Sequence, residues 1–72
     1  MGDKYPILTP KEIISALGKN GFGFKTQRGS HAKYSNGQRT VIIPMHHEVA
    51  RGTLKSILMQ AGIELDDFLK LL

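Results

Sequence analysis

The stretch Arg28-Gly29-Ser30-His31-Ala32-Lys33-Tyr34-Ser35-Asn36-Gly37-Gln38-Arg39-Thr40-Val41-Ile42-Ile43-Pro44 decides the fold. Asn36-Gly37 between two alternating segments is a strong hairpin signal, because both residues tolerate the positive φ that a tight turn requires. It predicts a strand over residues 30–35 and another over 38–44, the latter rich in β-branched residues and ended by Pro44, which cannot donate to a ladder. With Asn36-Gly37 as a two-residue loop, Ser35 pairs with Gln38, Ala32 with Val41 and Ser30 with Ile43. Directly opposed residues share a face. Ala32, Tyr34, Val41 and Ile43 then form the core face, and His31, Lys33, Thr40 and Ile42 the open one. A loop that changed length by one residue would reverse the assignment.

Outward from the hairpin, Gly29 opens a turn back to a third strand over residues 22–28, with Phe22 and Phe24 expected on one side. Before it, Thr9-Pro10-Lys11-Glu12 reads as a helix start. Thr9 caps, Pro10 suits the first position, and Glu12 completes a capping box. Leu8 and Ile13 have the spacing of a hydrophobic staple, and Ile13, Ala16 and Leu17 make the apolar face. Gly18 weakens the helix and Gly21 is placed to end it. After the hairpin, Leu54, Ile57, Leu58 and Ala61 follow helical spacing up to Gly62, and Leu65, Phe68, Leu69 and Leu72 repeat it on a shorter helix. The order is α-β-β-β-α plus a short C-terminal helix. It predicts an α+β fold, one domain over residues 1–72 with residues 1–6 as a loose leader, and helices packed on one face of a three-stranded antiparallel sheet. The double-stranded-RNA-binding (dsRBD-like) fold has this order.

Composition narrows the class. The chain has 72 residues and no cysteine, so neither a disulfide nor a thiolate metal site can brace it, which fits a reducing cytoplasm. Apolar runs are short and broken, no signal peptide is evident, and Pro6 occupies the position where myristoylation of Gly2 would need Ser or Thr. The formal charge is +4, with no acidic residue between Glu12 and Glu48. That interval holds Lys19, Lys25, Arg28, Lys33 and Arg39. Such a segment attracts polyanions, of which nucleic acid is the commonest, although a solvated basic face without a partner has the same composition.

There is no Walker loop, GxGxxG, HExxH or nucleophile elbow. The reactive side chains are His31, His46 and His47. His31, on the open face beside Lys33 and near Arg28, stands where a phosphodiester would be drawn. An imidazole can take the proton of an RNA 2′-hydroxyl while cations stabilise charge on the phosphoryl oxygens, and this chemistry needs no metal or other cofactor. His46-His47-Glu48 invites a zinc reading, but neighbouring side chains on a strand point apart, and convergent ligands are what zinc requires. No metal is expected. Lys25, Arg28, Ser30, Lys33 and Arg39 are the expected RNA contacts.

The sequence resembles the HicA (YcfA-like) toxin family. The matching residues are Leu17, Gly21 and Phe22; Gly29-Ser30-His31 and Tyr34; Pro44 and His46; Gly52-Thr53-Leu54 with Ile57; and Ala61-Gly62. His47 is an extra, Met45 stands where a basic residue is common, and Gly18 is unusual for its helix. The resemblance implies a dsRBD-like fold, an mRNA-cleaving toxin that blocks translation, and a HicB-type antitoxin that covers the active site. It puts the catalytic histidine at His31 and a second histidine, as proton donor or phosphate contact, at His46. The alternatives are a non-catalytic RNA-binding module and a small protein whose basic face docks an acidic partner.

Overall fold

The computed structural model describes residues 5–72. The elements are α1 (Pro10–Gly18), β1 (Gly23–Arg28), β2 (His31–Ser35), β3 (Thr40–Pro44), α2 (Arg51–Ala61) and α3 (Leu65–Leu69). The strands form one antiparallel sheet in the order β1-β2-β3. This is the expected α+β arrangement of dsRBD-like order.

α1 begins as its sequence dictates. Thr9 is the N-cap; its Oγ1 accepts from the Glu12 N–H at 3.3 Å, and the Glu12 carboxylate accepts from the Thr9 N–H at 2.8 Å. Leu8 and Ile13 are both buried, so the staple closes over the cap. At the other end the Phe22 N–H donates to the Leu17 carbonyl and the Gly21 N–H to the Gly18 carbonyl, with Gly21 at φ 88°. That is a Schellman closure with glycine at its left-handed position. It drops Phe22 into the core before β1 begins. Phe24 opposes Tyr34 and so lies on the core face of the sheet, but unlike the buried Phe22 it is 57% exposed and meets Tyr34 edge-on with ring centroids 5.6 Å apart. Every residue of β1 is exposed, so this edge strand extends past the cover of the helices.

The β2–β3 register differs from expectation by two residues. Ala32 opposes Ile43 rather than Val41, Tyr34 opposes Val41, and Ser35 opposes Thr40. The turn is centred on Gly37-Gln38, one residue later than Asn36-Gly37. The Asn36 side chain is the reason. Its Oδ1 accepts from the N–H groups of Gln38 (2.9 Å) and Arg39 (2.8 Å), and Ser35 Oγ accepts from the Gly37 N–H. Only Gly37 has positive φ (95°); Asn36 does not, so the type I′ turn of an Asn-Gly loop is not formed. Because the loop keeps its length, the shift is even and both faces survive. Val41 and Ile43 are fully buried, while Lys33, Thr40 and His31 are exposed.

The core joins Ile13, Ala16 and Leu17 of α1 to Val41 and Ile43 of β3, to Leu54, Ile57, Leu58 and Ala61 of α2, and to Phe68 of α3. In α3 only Phe68 is buried; Leu69 and Leu72 remain partly exposed. Leu8 pairs with Val49 in an isolated bridge, and Arg51 Nε donates to the Tyr5 carbonyl at 2.8 Å. Of the leader expected over residues 1–6, residues 1–4 lie outside the described chain, and Tyr5 packs partly buried against the core. Among the described residues no helix is long and apolar enough to cross a membrane.

Replacing Thr9 by Ala removes the hydroxyl half of the capping box, the acceptor for the Glu12 N–H, and leaves the backbone N–H of residue 9 on the Glu12 carboxylate. It is expected to lower unfolding free energy by about 1 kcal/mol, read as a shift of the urea midpoint at unchanged m-value.

Candidate functional site

His31 is the first residue of the central strand, directly opposite Arg28 on β1 and Pro44 on β3. It is held there by the β1–β2 turn. Arg28 and His31 close a loop of two residues, Gly29 and Ser30, with Gly29 at φ 56° and Ser30 negative. Glycine at the first central position is the signature of a type II′ turn, whose twist matches the strands it joins. A second constraint comes from β3, where the Met45 N–H donates to the Ser30 carbonyl at 2.6 Å. This bond carries the ladder one step past Pro44 and brings the 45–48 loop alongside the start of β2.

Opposed residues have Cβ atoms about 5 Å apart, so the Arg28 and His31 side chains leave the same face as neighbours. Lys33 follows on that face, roughly 7 Å along the strand. Ser30 is the half-buried second residue of the turn. Lys25 falls at an irregularity between Phe24 and Thr26 and has no partner residue on β2. Arg39 lies apart. It sits at the opposite end of β3 from Pro44, and its guanidinium rests on Gly62, so close that a Cβ at position 62 would come within 2.6 Å of Arg39 Nε. Gly62 is the left-handed C-cap of α2, where a cation complements the helix dipole. The structure thus gathers Arg28, Ser30, His31 and Lys33, while Arg39, exposed and lying against Gly62, stands apart from them.

On the β3 side His31 borders a groove of about 480 Å³, lined also by Ile42, Pro44, His46, Gly52, Thr53, Ser56, Ile57 and Gln60. His46 and His31 share this groove; His47, the next residue, does not line it. α2 supplies the far wall. Its apolar residues face the core, and Thr53, Ser56 and Gln60, at i, i+3 and i+7, face the groove. Gln60 Oε1 accepts from the Ile42 N–H at 3.0 Å, which ties α2 to the free edge of β3. This wall was not anticipated from the sequence, where α2 was legible only by its apolar stripe. The signal was present in the polar residues at 53, 56 and 60. Among the described residues no three of His, Cys, Asp and Glu converge as a metal site would require.

A family model for the HicA toxin of bacterial toxin–antitoxin systems matches residues 10–63. The chain belongs to this family. It is a toxin of the toxin–antitoxin class, and membership implies an antitoxin partner. Comparison with curated proteins gives no match. The matched span of this HicA-family chain runs from the start of α1 to just past the C-cap of α2, and so includes every residue of the groove and the cationic face.

The turn that presents His31 yields a test of the backbone. Gly29→Val must force a β-branched residue into positive φ and is expected to cost about 1–2 kcal/mol. Gly29→Asn is expected to cost less, because asparagine tolerates that region. Chemical denaturation of the two variants side by side reads the difference.

Proposed function

We propose that this toxin is a metal-independent ribonuclease that cuts mRNA, with His31 as the base. The observation that carries the reading is the placement of an exposed imidazole between a cationic sheet face and a groove that holds a second histidine. His31 takes the proton of a ribose 2′-hydroxyl. The resulting oxygen attacks the adjacent phosphorus, the bond from phosphorus to the 5′-oxygen breaks, and that oxygen takes up a proton from His46 or from water. The products are a 2′,3′-cyclic phosphate and a 5′-hydroxyl end. Arg28 and Lys33, on the same face as His31, offset the negative charge that grows on the phosphoryl oxygens. Lys25 on β1 and Ser30 within the β1–β2 turn add phosphate contacts. A HicB-type antitoxin would silence the enzyme by covering His31.

The test is an RNA cleavage assay in the presence of a chelator. Wild type is expected to generate cyclic-phosphate ends. His31→Ala is expected to lose at least 100-fold in rate, roughly the lower bound for a general base, with an unchanged circular dichroism spectrum. Persistent cutting by the folded variant would overturn the assignment. Salt-dependent RNA binding by wild type without products would point to a non-catalytic RNA-binding module. Charge reversal at both Arg28 and Lys33 is expected to weaken RNA binding and flatten its salt dependence by about two phosphate contacts, each worth a slope near 0.7 on single-stranded RNA.

A further inference from the structure

The two sides of His31 differ in chemistry. Toward β1 lie Arg28 and Lys33, both exposed and cationic. Toward α2 lies a groove whose walls, apart from the two histidines, carry no charge: Ile42, Pro44 and Ile57 are apolar, and Thr53, Ser56 and Gln60 are neutral and polar. The uncapped first turn of α2, at Gly52 and Thr53, can meet a phosphate at the His46 end of this groove, whereas the end formed by Ile42, Ile57 and Gln60 holds nothing that offsets such a charge. Apolar walls with a few fixed polar groups suit a flat heterocycle. We propose that the groove between β3 and α2 receives one base flanking the scissile phosphate, and that Gln60 reads it. This rests on the ribonuclease reading for the position of the phosphate at His31.

The orientation of Gln60 makes the reading specific. Its Oε1 is occupied by the Ile42 N–H, a donor that only the oxygen of the amide can meet. That bond uses one lone pair of Oε1 and fixes the direction of the amide NH₂, whose two donors are then available to a ligand. A fixed donor favours a base with a carbonyl at the ring position where the other bases carry an amine. Uracil and guanine present such a carbonyl; cytosine and adenine present an amine there. The hydroxyls of Ser56 and Thr53 rotate to either role and so do not discriminate. The groove therefore selects a keto base beside the cut.

The experiment is to map cleavage ends on an RNA library randomised around one site, for wild type, Gln60→Glu and Gln60→Met. A parallel arm measures binding of short oligonucleotides that differ at one base to His31→Ala alone and combined with Gln60→Glu or Gln60→Met. Wild type is expected to favour uracil or guanine at one flanking position. Gln60→Glu keeps an oxygen for the Ile42 N–H and replaces the donor by an acceptor. It is expected to shift the keto-to-amino ratio by about three- to tenfold toward cytosine and adenine, the worth of one hydrogen bond. Gln60→Met is expected to bring the ratio toward one. Because the readout is a ratio, a general loss of activity does not mimic it, and circular dichroism checks that each variant folds. Unchanged base preference in both variants, with cutting retained, would overturn the groove assignment and leave the ribonuclease standing. No cleavage by wild type, with Gln60-dependent base preference in binding, would overturn the ribonuclease and support the groove. RNA binding indifferent to Gln60 in both arms would remove it.

Discussion

The pairing of β2 with β3 sets the direction of every side chain on the central strand, and the rest of the molecule depends on it. One face of this pair contributes Val41 and Ile43 to the core. The alternate positions put His31 and Lys33 in solvent. A chain this short buries a small core and has few spare contacts with which to tolerate a wrong register. The apolar pattern of β3 therefore does two things at once: it holds α1 and α2 against the sheet, and it forces the imidazole outward.

That division was readable in the sequence because it is a matter of alternation. The capping box at Thr9 and Glu12, the Schellman glycine at Gly21 and the apolar stripe of α2 were readable for the same reason: each is a local rule acting over a few residues. The tip of the second hairpin was misplaced by one residue because Asn36 bonds its own downstream amides rather than adopting positive φ. Propensity at Asn-Gly does not reveal which of these an asparagine will do. Phe24 was misjudged because alternation says which residues share a side but not how far the helices reach over the sheet. The site divides in the same way. His31 and its neighbours on β2 follow from strand periodicity, and Arg28 from the turn that returns the chain. The α2 wall and the detachment of Arg39 depend on tertiary packing between segments far apart in sequence, for which no local pattern stands.

The sheet's two edges are treated differently. β3 ends against α2, where Gln60 accepts from an N–H that would otherwise face water. β1 has no such cover; its six residues are all exposed and its pairing is interrupted at Lys25. A charged residue at an irregular point on an open edge hinders another strand from adding to it. The covered edge thus becomes the wall of a groove, and the uncovered one carries cations.

The even length of the hairpin tip bears on how such a chain can change over generations. Insertions or deletions of two residues between Ser35 and Thr40 leave the inward and outward sets intact, whereas a single-residue change in the same place turns the core residues of one strand to water unless a bulge absorbs it. A change of two residues at this tip is then better tolerated than a change of one, and a single inserted residue is best accommodated elsewhere, where the ladder is already broken, as it is at Lys25 on β1. Inactive copies that still fold would be reached more readily by substitution on the open face than by slippage within the tip.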